Sequence, residues 1–575
     1  MKKNKGNKTN KVLVVALDGG TYAVFRPLID SGKLPTLAAM MQGGAWGELS
    51  STIPPHTAPA WASFITGKNP GKHGVFQFGP VDRTLYEGGW KRIVNSNTIS
   101  GRALWDIIGN EGKKVGIVNV PLTYPFKPVN GFMVTGMLTP RGSDHFIYPP
   151  HLAAFLGDYR IDVTVGEGEY GALGGMNTED PEVLAGFIEE LKALVDMRTE
   201  AALRLMKMYS PDFFLIFFTE TDRLQHLCWP YLQLKPLQSK DEKGKEFYRA
   251  LEDFYRHLDH NLAKLMKIAG EDTVRILMSD HGFGPAAEKD VNFNIWLENL
   301  GFLKLQKDLQ GVLNPRRLLK RLRISSEIVY SLVGSFLPSK AVRRMQRTWG
   351  KVVSSPVDWS QTKAVFIPIF DFVGGIQIIL KDEISQLSGQ LLTDYLELRD
   401  SLIRQLHELR DPQTNQPIVR EVYKREELYK GVHTIHAPDI IFVMATEYRG
   451  DKGLVTRSLV TTKPKNITLW TGTHRREGII MLSGPDISPG RLASRPQIQD
   501  LTPTILYLLG IGIPEDMDGQ VIEEAIASSY LARHEIEYTK AVISPKENSE
   551  AEAIGFTEEE MEKVKKRLES LGYLS

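Results

Sequence analysis

The chain has 575 residues, of which 42% are hydrophobic and 24% are charged, a composition typical of a folded globular protein. Its 70 Lys and Arg residues balance 69 Asp and Glu residues, and the resulting net charge of +1 excludes a general attraction to nucleic acid. The single cysteine, Cys228, excludes an intrachain disulfide framework and a cysteine-based zinc site. No stretch approaches the ~18 apolar residues of a membrane span and no cleavable signal is recognisable, so we expect a cytoplasmic location.

Short apolar runs alternate with amphipathic stretches along the chain. Residues 184–208 and 244–268 carry apolar side chains at helical spacing. Runs typical of buried strands lie at 12–17, 114–120, 213–218, 275–279, 375–380, 439–444 and 478–484. This alternation predicts an α/β fold with a mainly parallel central sheet that helices cover on both faces.

The charge distribution predicts an insertion in this fold. Residues 304–351 contain twelve Lys or Arg residues and only two acidic residues. Basic and apolar residues alternate at helical spacing over 316–347, which fits a solvated helical cap or a lid facing an anionic substrate or a membrane surface. The predicted organisation is a core at 10–303, a basic helical insertion or lid at 304–355, the rest of the core at 356–530 and a C-terminal tail at 531–575.

The C-terminal tail carries the pattern of a docked helix. Thr557 and Glu560 have the spacing of a capping box, and Gly572 is a candidate C-cap. The apolar face of the predicted helix consists of Met561, Val564, Leu568 and Leu571.

Carboxylate and imidazole side chains lie at the margins of four predicted strands. These residues are Asp18, Asp222, His226, Asp280, His281 and His474. Asp18 alone, or the Asp222 and His226 pair alone, is more often a turn, cap or surface feature, and Asp280-His281 fits a structural or a ligand role equally well. All six at strand margins in one chain, however, rarely arise by chance. Carboxylate with imidazole suits zinc, manganese or iron and not calcium, and six such ligands could hold two adjacent cations.

A hydroxyl group at the start of a predicted helix is the candidate nucleophile. Thr57 follows two prolines and opens the stretch "TAPAWASFITG", which we expect to be helical up to Gly67. The first turn of a helix exposes backbone N–H groups that favour phosphate. By itself, however, the pattern also fits a plain threonine N-cap.

The order of these residues resembles the alkaline phosphatase superfamily, and within it the type I phosphodiesterase/nucleotide pyrophosphatase family. The segment "TAPAWASFITGKNPGKHGVF" is similar to the family's nucleophile segment, and "TGTHRREGII" to its late histidine segment. The stretch at 500–522 is similar to the last core helix and strand of the family. The resemblance covers roughly residues 10–305 and 355–525.

The resemblance implies an alkaline phosphatase-like fold, a small phosphate-ester substrate and two divalent metal ions, zinc first and manganese as the alternative. Thr57 would form a covalent phosphothreonine and would also ligate a metal. The implied ligand sets are Asp222, His226 and His474 for one metal, and Asp18, Asp280, His281 and Thr57 for the other.

The expected activity is phosphodiester or nucleotide pyrophosphate hydrolysis. A phosphomonoesterase and a phosphomutase of the same superfamily are alternatives, and an inactive metal-dependent binding protein is a third. The natural substrate, the diester or monoester preference and the oligomeric state do not follow from the sequence.

Overall fold

The structure is a computed structural model. It describes residues 10–86, 90, 92–163, 180–233, 242–306, 357–380, 388–453, 458–462, 470–541, 556–571 and 573. The predicted basic insertion 304–355, including 316–347, lies outside these residues except at 304–306.

The chain packs into two compact units, which we call the first and second units. The first unit contains Met1–Phe78, Ile93–Pro285 and Leu469–Ser575, and the second contains Gly79–Arg92 and Ala286–Thr468. The boundaries proposed from the sequence, at 303, 355 and 530, stay a prediction.

A nine-stranded sheet forms the centre of the first unit. Its order across the sheet is Gly490–Arg491, Ala45–Ser50, Glu477–Ser483, Thr273–Met278, Lys11–Leu17, Phe213–Phe218, Val115–Val120, Gly131–Thr135 and Ile147–Tyr148. Five of the eight neighbouring pairs are parallel, so the prediction of a mainly parallel α/β sheet is confirmed.

The central strand Lys11–Leu17 shows how both faces of this sheet are buried. Leu13, Val15 and Leu17 lie in one large apolar cluster with side chains of several helices. The alternate residues Val14 and Ala16 are equally buried on the opposite face. A strand that is buried on both faces has an uninterrupted apolar sequence, and this is why the strand at 12–17 could be predicted.

Helices surround the central sheet of the first unit. In the described residues these helices are Tyr22–Asp30, Pro35–Gly43, Thr57–Thr66, Pro70–His73, Leu104–Asn110, Ala153–Leu156, Pro181–Tyr209, Glu220–Leu232, Glu242–Ala269, Leu501–Leu508, Ser528–Leu531 and Glu558–Ser570. Two short ladders complete the unit and pair Gly472–Arg475 with Gly282–Pro285, and Ile513–Pro514 with Tyr538–Thr539.

The second unit contains two of the strands that the sequence analysis placed in the parallel sheet. Val373–Ile378 and Ile440–Met444 pair antiparallel with each other in a separate four-stranded sheet, in the order Ala364–Phe370, Val373–Ile378, Ile440–Met444, Val419–Lys424. A three-stranded sheet has the order Tyr448–Asp451, Lys289–Asn292, Val460–Thr462. The helices of this unit are Phe293–Asn299, Gly389–Glu408 and Arg425–Leu428.

The C-terminal helix Glu558–Ser570 has the predicted capping box, in which Thr557 Oγ1 accepts from the Glu560 N–H and the Glu560 carboxylate accepts from the Thr557 N–H. Val564 and Leu568 are buried, as expected for a docked helix. The predicted C-cap Gly572 lies outside the described residues.

Within the described part of the chain, no helix combines the length and the apolar character needed to cross a bilayer.

Candidate metal centre

Three adjacent parallel strands bring most of the predicted ligands to one edge of the central sheet. The register pairs Leu17 with Phe218 and Ala16 with Met278, so the strands end at nearly the same level. The carboxyl ends of parallel strands are where α/β sheets place ligands. Asp18, the first residue after the central strand, is therefore brought to the segments that follow its two neighbours.

The helix Glu220–Leu232 begins two residues after the strand Phe213–Phe218 and carries two of the candidate ligands. Asp222 and His226 are four residues apart, so they lie on the same face of this helix. Asp222 Oδ1 is 3.3 Å from His226 Nε2. The four-residue spacing in the sequence thus brings the Asp222 and His226 side chains into contact.

His474 reaches the same edge through a short ladder. It precedes the strand Glu477–Ser483, as the sequence predicted, and itself lies within the short strand Gly472–Arg475, where it pairs with Phe283. The partner strand Gly282–Pro285 directly follows His281. As a result, the imidazole rings of His281 and His474 stack with centroids 3.6 Å apart.

Thr57 is the first residue of the helix Thr57–Thr66 and is fully buried. His56 is the N-cap, since its Nδ1 accepts from the Ala58 N–H at 3.4 Å. The alternative that Thr57 is a plain N-cap is therefore wrong. Its Oγ1 lies 3.4 Å from His281 Nε2, so the hydroxyl group faces the cluster of acids and histidines.

One group of possible ligand atoms surrounds Asp222. Its Oδ1 lies 3.1 Å from His474 Nε2, and the Nε2 atoms of His226 and His474 are 3.2 Å apart. All three residues are buried, and one atom from each forms a set within 4.8 Å. This is the first of the two ligand sets that the resemblance implied.

A second group of atoms surrounds His281. Its Nε2 is 3.2 Å from Asp18 Oδ1 and 3.6 Å from Asp280 Oδ2. The compact set within 4.8 Å consists of Asp18, His281 and Asp222, so Asp222 faces both groups. Asp280 is held slightly farther away, because its Oδ1 accepts from the Gly19 N–H at 3.3 Å and the His281 N–H at 3.2 Å.

Backbone carbonyls fix the tautomer of all three histidines. A carbonyl oxygen can only accept, so each Nδ1 that faces one must carry the proton. The pairs are His226 Nδ1 with Gly472 O at 2.9 Å, His474 Nδ1 with Pro55 O at 3.1 Å, and His281 Nδ1 with Gly282 O at 3.1 Å. In the neutral imidazoles each Nε2 therefore presents a lone pair to the centre, as metal-binding histidines do.

Four carboxylate oxygens of the centre accept no hydrogen bond among the described residues. They are both oxygens of Asp18, Oδ1 of Asp222 and Oδ2 of Asp280. Buried lone pairs of nitrogen and oxygen thus face one another at 3.1–3.6 Å. Such an arrangement is costly unless positive charge lies between the atoms, so the donor set fits divalent cations.

Burial is the first cause of the pKa shifts at the centre, and neighbouring groups add to it or oppose it. Burial raises the pKa of Asp18 well above its usual range, and neighbouring carboxylates raise it further. Burial also raises the pKa of Asp280. Burial would do the same for Asp222, but the imidazoles of His226 and His474 in their protonated form, together with Arg223, hold its pKa well below the usual range. Burial and a facing imidazole lower the pKa of His474 well below its usual range.

A buried arginine that the sequence analysis missed holds the Asp222 carboxylate. Arg223 Nη1 donates to Asp222 Oδ2 at 2.5 Å, and its Nη2 donates to Asp162 Oδ2 at 2.9 Å. Arg223 and Asp162 are both 1% exposed at the side chain. Arg223 stands beside Asp222 in the motif and could have been noticed, whereas Asp162 has no local signal.

Aromatic rings surround the Thr57 side of the centre. Tyr573 packs edge-on against His56, with ring centroids 5.5 Å apart, and against Phe78 at 5.1 Å. On the other side, Trp470 contacts the His226 ring at 4.4 Å. None of these rings was singled out from the sequence, because an aromatic residue far along the chain carries no positional signal.

The family model of type I phosphodiesterase / nucleotide pyrophosphatase matches residues 12–450. The chain belongs to this family. It is therefore an enzyme, a metal-dependent phosphoric ester hydrolase of the alkaline phosphatase superfamily, as the motifs had indicated. No curated protein sequence matches the chain.

Two solved structures align with the chain at low sequence identity. Phosphonoacetate hydrolase from Sinorhizobium meliloti 1021, in complex with phosphonoacetate, aligns with a TM-score of 0.50 and 14% identity over 88% of this chain and 97% of its own. Murine ectonucleotide pyrophosphatase/phosphodiesterase 5, an inactive variant in complex with AMP, aligns with a TM-score of 0.45 and 13% identity, over 87% and 95%. The first of these likenesses supports the fold alone.

Proposed function

We propose that this enzyme is a two-metal phosphodiesterase that acts through a covalent intermediate on Thr57. The observation that carries this proposal is the position of Thr57 Oγ1, which is 3.4 Å from His281 Nε2 at the edge of a buried set of lone-pair donors. A hydroxyl group at a helix N-terminus beside such a set is suited to attack phosphorus.

The chain's own residues define where two cations would be held. Asp222, His226 and His474 would hold one, and Asp18, Asp280, His281 and Thr57 would hold the other, with Asp222 facing both groups. We propose zinc, with manganese as the alternative, because imidazole and carboxylate ligands suit both. When bound, divalent cations would favour the ionised forms of Thr57 and water and would neutralise charge on the phosphoryl group.

The proposed reaction has two displacements at phosphorus. In the first, Thr57 Oγ bonds to phosphorus while the bond to the leaving alcohol breaks; the threonine proton goes to solvent and the leaving oxygen takes a proton from water. In the second, a water oxygen bonds to phosphorus and the bond to Thr57 Oγ breaks. The products are an alcohol and a phosphomonoester, and Thr57 regains its proton.

We expect a diester and not a monoester because several basic side chains of the first unit already have acidic partners. A monoester carries nearly one charge more than a diester at neutral pH and benefits from an additional cationic side chain. Arg223 already pairs with Asp222 and Asp162. In the described residues Lys68 pairs with Asp516, and Lys72 pairs with Asp518 at 2.6 Å.

The test compares an aryl phosphodiester with the matching aryl phosphomonoester, with zinc or manganese supplied. We expect a preference for the diester that is lost in Thr57→Ala and partly kept in Thr57→Ser, which retains a hydroxyl group. Metal content measured on all variants separates loss of the nucleophile from loss of the cations. A monoester preference would indicate a phosphomonoesterase or phosphomutase, and undiminished hydrolysis by Thr57→Ala would refute the covalent route.

A further inference from the structure

The C-terminal helix is attached to the core of the first unit by both apolar and polar contacts. Leu571 belongs to the large apolar cluster that includes the central sheet. Tyr124 donates to Glu560 Oε1 at 2.6 Å, and Arg567 Nη2 lies 3.5 Å from Asp162 Oδ2. The C-terminal helix is thus held next to Asp162, which Arg223 links to Asp222.

This docking places Tyr573 at the metal centre. Its ring lies edge-on to His474 with centroids 6.4 Å apart, and edge-on to His56, the residue before the nucleophile, at 5.5 Å. Tyr573 is 516 positions from Thr57 in the sequence, so only the fold brings them close. Its position beside a candidate ligand and the nucleophile calls for more than a role in packing.

The hydroxyl group of Tyr573 shares a donor with a candidate ligand. Arg223 Nη1 donates to Tyr573 Oη at 3.2 Å and to Asp222 Oδ2 at 2.5 Å. Because both oxygens bind the same nitrogen atom, Tyr573 Oη lies close to Asp222 Oδ2. One guanidinium nitrogen fixes both groups at the edge of the centre.

The proton of this hydroxyl group is still available. A guanidinium group has no acceptor, so in the Arg223 contact the Tyr573 oxygen must accept. No other hydrogen bond of this hydroxyl group is found in the part of the chain that the structure describes. A phenol is a neutral donor at pH 7, and a donor fixed at a desolvated centre is suited to an anionic oxygen.

We propose that Tyr573 is a further catalytic residue, which donates a hydrogen bond to a nonbridging phosphoryl oxygen of the substrate. Arg223 is a positioning residue for Tyr573, because its guanidinium group donates to both the phenol oxygen and the Asp222 carboxylate. This inference rests on the proposed phosphoryl-transfer function. It makes Tyr573, and the helix Glu558–Ser570 that precedes it, part of the active site and not a peripheral tail.

The competing explanation is that Tyr573 only anchors the C-terminal helix. Tyr573→Phe separates the two explanations, because it keeps the ring contacts with His56 and Phe78 and removes only the hydroxyl group. Tyr124→Phe is the matched control, since it removes a hydroxyl group that holds the same helix by way of Glu560.

The experiment measures hydrolysis of bis(4-nitrophenyl) phosphate by the zinc-loaded full-length enzyme, together with zinc content and melting temperature. We expect kcat of Tyr573→Phe to fall by about 100-fold, as when one oxyanion donor is removed, with unchanged zinc content. Tyr124→Phe should keep the wild-type kcat. A wild-type kcat in Tyr573→Phe, or an equal loss in both variants, would overturn the proposal.

Binding of inorganic vanadate distinguishes failure of this inference from failure of the proposed function. Calorimetry measures vanadate binding to the zinc-loaded protein and requires no turnover. It therefore tests Tyr573 even if Thr57→Ala hydrolyses the diester as fast as wild type, which would refute the proposed role of Thr57. We expect Tyr573→Phe to bind vanadate about tenfold more weakly than wild type and than Tyr124→Phe. Equal vanadate affinity in all three proteins would overturn the role of Tyr573 whatever the reaction is.

Discussion

The buried Asp162 carboxylate allows a quantitative prediction about the support of the metal centre. Arg223 donates to its Oδ1 at 3.3 Å and to its Oδ2 at 2.9 Å, and Arg567 Nη2 lies 3.5 Å from Oδ2. Burial by itself would raise the pKa of Asp162, but the guanidinium groups of Arg223 and Arg567 outweigh it and hold the pKa at about 2. Asp162→Asn keeps the shape of the side chain and removes its charge.

The size and sign of the effect follow from this pKa. The shift from the ordinary value of 3.8 to about 2 stabilises the folded state by about 2 kcal/mol when the carboxylate is ionised. Because the folded-state pKa is depressed, this stabilisation is complete above pH 3.8 and is lost as the pH falls through about 2. Asp162→Asn should therefore lower the free energy of unfolding by about 2 kcal/mol, equally at pH 7 and pH 5.

Urea unfolding followed by circular dichroism at pH 7 and pH 5 measures this effect. The control is Asp158→Asn on the same segment, since Asp158 is exposed and its substitution should change the free energy of unfolding by less than ~0.5 kcal/mol. The reasoning fails if Asp162→Asn behaves like this control, or if its effect differs strongly between pH 7 and pH 5.

Three other predictions concern the candidate metal centre and the helix Thr57–Thr66, which begins at the proposed nucleophile. His226→Ala should lower bound zinc by about half in elemental analysis, because it removes one proposed Nε2 ligand of the group Asp222, His226 and His474; full zinc content would contradict the ligand assignment. Trp61→Ala should lower the free energy of unfolding in urea by about 3–5 kcal/mol, because Trp61 is fully buried; a loss below ~1 kcal/mol would contradict tight packing there. Gly67→Ala should cost about 1–2 kcal/mol in the same assay, since φ is +67° and the new Cβ would lie 2.8 Å from Met517 Sδ; unchanged stability would show that the turn relaxes freely.

The sequence predicted those parts of the centre that have local signals. Asp18, Asp280 and His281 lie within three residues of the ends of buried strands, and parallel strands bring such positions to one edge. The i,i+4 spacing of Asp222 and His226 fixed their common face without any tertiary information. The positions at strand ends and the i,i+4 pair can be predicted because each depends only on the pattern of neighbouring residues in the sequence.

The rest depends on contacts that no local pattern encodes. The strands Val373–Ile378 and Ile440–Met444 read as buried apolar runs, but such a run does not reveal its pairing partner or its direction, so they were placed in the wrong sheet. Asp162 and Tyr573 reach the centre from a loop and from the C-terminus, through contacts with Arg223. Their positions follow from the packing of the whole first unit.

The most direct test of the central claim is to trap the covalent intermediate on Thr57. Zinc-loaded enzyme is mixed with bis(4-nitrophenyl) phosphate, quenched in acid during the first turnovers, digested and analysed by mass spectrometry. We predict a 4-nitrophenylphosphoryl group on the peptide that carries Thr57 and none on this peptide in Thr57→Ala. Rapid release of 4-nitrophenol by the wild-type enzyme with an unmodified Thr57 peptide, and equal release by Thr57→Ala, would show that the threonine is not the nucleophile.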